Sequence, residues 1–237
     1  MGMMEMRRGL MSMNISAGSR TLDITMANGS FESVWMDLAG AGIDTVNINF
    51  TKFDNRSIAK YVAMIDAETI NITYKTGFKP SAMRDFMRGD TPKRLKHLNL
   101  INVDTSACSD WFCTFFWNAT PPNPIDVTGA LDFTSLGTWS NTLNAKGIRE
   151  LRFVASTLSK NATIANDYNQ TYSYDTWTSL ANCLVSGASG TLTIGSTAQA
   201  KLQNILGNVE NSLFVRDLQG LTNLYDFITT TKGWTLA

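Results

Sequence analysis

The chain has 237 residues, enough for one full hydrophobic core, and its 20 Lys+Arg balance its 20 Asp+Glu. That balance argues against a dedicated nucleic-acid binder, and no run approaches the roughly 18 apolar residues needed to span a bilayer. An apolar fraction of 43% excludes a disordered tail.

Residues 1–19 show no periodicity and hold six of the eleven methionines. Methionine fits irregular grooves, which suits an arm that docks into a neighbouring subunit. Met3, Met4, Arg7 and Arg8 are its candidate contact residues. The same composition also fits a frayed end. The segment is basic but has no apolar stretch of signal-peptide length, so no secretory leader is read here.

From Leu22 onward one structural phrase recurs. Leu22–Met26, Val46–Phe50 and Ile70–Tyr74 alternate apolar and polar residues, and their starts lie 24 residues apart. Alternation is the period of a strand with one buried face. Between the strands, Phe31, Val34, Trp35 and Leu38, then Ile58, Tyr61, Val62 and Ile65, follow the spacing of an amphipathic helix. A short strand–helix unit hides its single apolar face by stacking on a copy of itself. The series continues more loosely through Leu98–Leu100, Leu131–Phe133, Leu151–Phe153, Leu192–Ile194 and Trp234–Leu236. The expected fold is α/β: an irregular leucine-rich-repeat-like solenoid over residues 20–237, with a parallel sheet on one side and short helices on the other.

Residues 75–97 hold the densest positive charge. Within them Pro80–Met87 reads as a helix with Pro in its first turn and Met83, Phe86 and Met87 inward. Lys79, Arg84 and Arg88 are candidate contacts for a polyanion; a solvated helix face is the plainer reading. Trp111–Trp117 is the most aromatic window of the chain. Trp111, Phe115 and Trp117 are candidates for gripping a sugar or a partner surface, and core filling is the alternative. Cys108, Cys113 and Cys183 lack any CxxC spacing and read as buried thiols. Further on, Tyr174–Leu184 and Thr197–Leu206 carry helical stripes, and Leu221–Ile228 a third, before the closing strand.

Chemistry is in short supply. The single histidine, His97, allows no Ser–His–acid arrangement worth proposing, and no phosphate-binding loop, zinc motif or calcium loop is present. The expectation is a protein that is not an enzyme, with no cofactor, metal or catalytic residue. Asp23, Asp44, Asp104, Asp126 and Asp132 would cleave a glycan only if two of them met at about 5 to 9 Å on one face. Eight Asn-x-Ser/Thr triplets are what a chain rich in these residues yields by chance.

Leu131–Asn144 followed by Ile148–Phe153 resembles the BspA-type leucine-rich repeat carried by tail proteins of phages and prophages of Gram-positive gut bacteria. Gly190–Ile194 with Ala198–Leu202, the closing Thr231–Ala237 and the Met-Arg-Arg opening are similar to the same proteins. The resemblance covers about the last 110 residues. It implies a structural or interaction protein of a virion (tail, baseplate or capsid decoration) with no membrane span and no nucleic-acid partner. Its implied partners are other virion proteins, copies of itself in a symmetric assembly, and a host surface glycan or protein. A bacterial cell-surface adhesin is the alternative, and a glycan-cleaving tail enzyme a third.

Overall fold

The computed structural model describes residues 3–6, 9–16, 19–26, 42–50, 66–84, 93–111, 123–137, 147–164, 172–204 and 223–237. Eight strands lie side by side in chain order: β1 (Met3–Met6), β2 (Gly9–Ser16), β3 (Ser19–Met26), β4 (Thr45–Phe50), β5 (Thr69–Tyr74), β6 (His97–Ile101), β7 (Ile125–Leu131) and β8 (Ile148–Phe153). From β3 to β8 every neighbouring pair is parallel. Parallel strands stacked in chain order require the chain to return along the same route after each one, which defines a solenoid. A second parallel sheet orders β11 (Thr235–Leu236), β10 (Thr191–Thr193) and β9 (Ala162–Thr163).

Register follows the repeat. Leu22 stands opposite Val46, Val46 opposite Ile70, and Ile70 opposite Leu98; Ile24, Ile48, Ile72 and Leu100 form the next column. All eight are buried. A third column is aromatic: Phe50 meets Tyr74 at 5.3 Å between ring centroids, and Tyr74 meets Phe78 at 5.6 Å. Each buried apolar side chain contributes roughly 1.5–3 kcal/mol, whereas an exposed ion pair contributes about 0–1. The columns therefore hold the coils together, and the charges on the rims adjust the result.

The return segments pair as well. Ala82 bridges Asp110 and Leu158 bridges Leu184, each in parallel. Ser109 N–H donates to Ser81 O at 2.9 Å, and Gly137 N–H to Ser109 O at 2.8 Å. Over Pro80–Arg84 this pairing replaces the expected helix: Met83 donates its N–H to Asp110 O at 2.7 Å and buries its side chain. The positions that read as a helical stripe serve an extended segment bonded to the next coil.

The far edge of the large sheet is sealed by a helix, α1 (Tyr174–Cys183), capped by Ser173, whose hydroxyl accepts from Thr176 N–H. Leu151 N–H donates to Thr176 Oγ1 at 2.9 Å, and the same hydroxyl donates to Arg149 O at 2.9 Å. Phe153 N–H donates to Ser179 Oγ at 2.8 Å. Two hydroxyls on one helix face thus satisfy the backbone of β8, an edge that would otherwise be sticky. Replacing the buried Thr176 by Val leaves Leu151 N–H without its acceptor, and the expected loss is about 1–3 kcal/mol. Urea denaturation checks it: Thr176→Ser should retain most of the stability and Thr176→Val should not.

Two shorter helices follow, α2 (Ser196–Asn204) and α3 (Leu224–Asp226), the latter running into a π-helical turn at Phe227–Thr231. Both lie where the sequence predicts helices. The predicted strand at Leu131–Phe133 is shifted: β7 begins at Ile125 and ends at Leu131. Phe133 follows it and packs between Trp111, at 4.8 Å, and Phe153, at 5.7 Å. The strand β9 carries no alternation long enough to be read. The segment read as an arm contributes β1 and β2, which extend the sheet antiparallel beyond β3. The helices expected around Phe31–Leu38 and Ser57–Ile65 lie outside the described residues.

Candidate binding face

Because successive strand residues point to opposite faces, the alternation that builds the core also builds a polar surface on the other side of the sheet. Its rows are in register. Thr21, Thr45, Thr69 and His97 form the first; Asp23, Asn47, Asn71 and Asn99 the second; Thr25, Asn49, Thr73 and Ile101 the third. Thr128 of β7 continues the second row beside Asn99.

The second row is a continuous hydrogen-bonded ladder. Thr128 Oγ1 donates to Asn99 Oδ1 at 2.8 Å, and Asn99 Nδ2 donates to Asn71 Oδ1 at 2.7 Å. Asn71 Nδ2 donates to Asn47 Oδ1 at 2.7 Å, and Asn47 Nδ2 donates to Asp23 Oδ1 at 2.7 Å. Asp23 explains the sense of the row. An ionised carboxylate only accepts, so Asn47 must turn its NH₂ toward it and its oxygen toward Asn71. Each amide then fixes the next. Each of the three asparagines keeps one side-chain N–H and one oxygen lone pair for something outside the sheet.

Asp23, Thr25, Asn47, Asn49, Asn71, Thr73 and Ile101 border a shallow groove of about 300 Å³. Ile24 and Ile48 line it too, and Ile101, 41% exposed, stands at its β6 end, so apolar surface lies between the polar groups. No Lys or Arg stands in the three rows across β3, β4 and β5.

Charge lies instead along the strand entrances. Arg94 donates to Asp44 Oδ1 at 2.7 Å, and its backbone N–H donates to Asp66 Oδ1 at 2.8 Å. Arg20 N–H donates to Asp44 Oδ2 at 3.1 Å, Lys96 pairs with Glu68, and Arg149 Nε reaches Asp126 Oδ1 at 2.9 Å. The Arg94 hydrogen bond holds the Asp44 carboxyl below the usual range, and Lys96 does the same for Glu68. At the opposite rim Lys79 and Ser106 hold Asp104 down at about 2.

A lowered carboxylate stabilises the fold above its unfolded pKa, and that contribution disappears as pH falls through the folded value. Asp104 is thus worth most above about pH 4 and nothing well below pH 2. Urea midpoints of the parent and Asp104→Asn should differ at pH 7 and converge toward pH 2. Curves that stay parallel over that range would show that the Lys79 pair contributes nothing.

The sequence-derived candidates fall in several places. Trp111 is fully buried, with Nε1 donating to Cys108 O at 3.2 Å, so its ring is part of the core and offers no surface to a partner. Lys79 pairs with Asp104 at 2.8 Å and Arg84 with Asp110 at 2.7 Å, so each cation faces a carboxylate. Met3 and Met4 lie in β1 at the sheet edge. Arg7, Arg8, Arg88, Phe115 and Trp117 lie outside the described residues. Among the strand acids, Asp23 receives Asn47, Asp44 receives Arg94, Asp104 receives Lys79 and Asp126 receives Arg149, while Asp132 Oδ1 accepts from Thr134 N–H at 2.8 Å. A glycosidase acid needs a raised pKa; Asp44 and Asp104 are moved the other way. Cys108 and Cys183 are buried, and burial pushes their thiols up to about 12 and about 11, out of the reactive range. Among the described residues no helix is long and apolar enough to cross a membrane.

The ladder is what the sequence reading passed over. Its signal was present in Asn47 and Asn71, which share the 24-residue repeat with the apolar positions beside them. Comparison with protein-family models, with curated proteins and with solved structures finds no match.

Proposed function

We propose that this chain is a leucine-rich-repeat-like binding protein of a phage virion, a tail, baseplate or capsid-decorating component that holds its partner on the polar sheet face. The observation that carries the reading is the in-register Asn/Thr surface over β3 to β6: neutral over most of its area, hydrogen-bonding and continuous across coils. Such a surface offers many small contacts at fixed spacing and needs no reactive group. The acids and thiols described above are each occupied or inert, which leaves recognition as the chemistry the face supports best. The virion setting rests on the resemblance of residues 131–153, 190–202 and 231–237 to phage tail proteins.

Peptide mass spectrometry of gradient-purified particles, with antibody labelling in the electron microscope, tests the setting. The expected result is the chain at a tail tip or baseplate in multiples of three or six. Recovery only from host envelopes or culture fluid would sink the virion reading and leave a cell-surface adhesin in its place.

A further inference from the structure

The ladder and groove also limit what can lie on them. Neighbouring strands in a sheet are about 4.8 Å apart, so the free amide N–H and oxygen of Asn47, Asn71 and Asn99 recur at that interval. A matching ligand must present donors and acceptors at the same interval along its length. It must also be uncharged: the rows over β3 to β5 carry no cation to meet an acidic polymer, and only Asp23 would meet a basic one. An extended peptide bonds through its backbone and seeks the open edge of a sheet, not its face. A polysaccharide bears hydroxyls on every unit, each both donor and acceptor, and one unit of an extended chain is about as long as one strand spacing.

We infer that the groove over β3, β4, β5 and β6 binds an extended, uncharged polysaccharide, with its sugars laid across the strands at one per strand. This rests on the binding face proposed above and specifies its ligand. Amides of the ladder meet the hydroxyls, Asn49 and Thr73 form the wall beside them, and Ile101 covers an apolar C–H face at the end. Four strands line the groove, which fits about four sugars over roughly 15 Å. Binding therefore depends on length in a defined way.

The test is calorimetric titration of the full chain with neutral β-1,4-linked oligosaccharides of glucose, mannose and N-acetylglucosamine, from two to six units. An oligogalacturonate of six units serves as the acidic control. Affinity in at least one neutral series should rise several-fold per added sugar up to about four and then level off. Asn49→Lys places an exposed side chain across the groove without touching the ladder. It should weaken binding at least tenfold at an unchanged melting temperature. The inference is overturned if no neutral series binds, if affinity is independent of length, if the acidic control binds better, or if Asn49→Lys binds like the parent. Should Asn49→Lys particles lose host attachment while no neutral oligosaccharide binds the parent, the face stands and the glycan assignment falls. Should oligosaccharides bind a chain that particles lack, the virion setting falls and the glycan assignment stands.

Discussion

Replacing Trp111 by alanine should lower stability by about 3–5 kcal/mol, the range for removing a fully buried tryptophan. Trp111 lies at the join between coils, edge-on to Phe133, which in turn stacks on Phe153. Its indole N–H is satisfied by Cys108 O, so truncation removes a ring contact, a hydrogen bond and a large buried volume together. For a chain of this size each kcal/mol shifts the melting temperature by about 2–4 °C, so a drop of roughly 6–20 °C is expected in a thermal melt followed by circular dichroism. Trp111→Phe should recover part of it. A melt within a degree or two of the parent would mean that the ring is not part of the core.

Gly129→Ala is expected to rank second. Gly129 has φ +98°, and it lies in β7 where the register with β8 shifts between Asp126 and Ala130. A methyl there would stand 2.6 Å from Leu100 O and 2.9 Å from Leu100 Cβ, inside both contact radii. Backbone strain and overpacking each cost about 1–3 kcal/mol, so a loss on the order of 3 kcal/mol is expected. Gly77→Ala is the control, since Gly77 has φ +79° but nothing within 4 Å of the added atom. Urea midpoints should place Gly129→Ala well below Gly77→Ala. Equal losses would show that only the dihedral matters and that Leu100 gives way.

What was legible in the sequence is the apolar half of each strand. Val46, Ile48, Ile70 and Ile72 announce both the strand and its spacing because burial imposes the alternation from which they are read. Met83 misled for the same reason in reverse: spaced with Phe86 and Met87 it looks like a helix stripe, yet its segment bonds to Asp110 of the next coil. That partner lies too far along the chain for periodicity to register. Trp111 is ambiguous for a different cause, since an aromatic residue reads alike on a surface and in a core until Phe133 is placed beside it. The ladder lay between these cases. Its asparagines repeat at the strand period, but polar residues on a sheet face are usually free to vary, so only the observed bonds give the spacing a meaning.

The one-way order of those bonds makes the row a vector. Every amide dipole from Thr128 to Asp23 points along the same line across the strands, and the carboxylate at its end forbids reversal. Reversing it would require all the asparagines to turn together and present lone pairs to Asp23. A linear polymer with chemically different ends would meet donors and acceptors in a different order in its two orientations. The face thus distinguishes head from tail. Copies of the chain arranged around a symmetry axis would then lead their ligand strands in a common rotational sense.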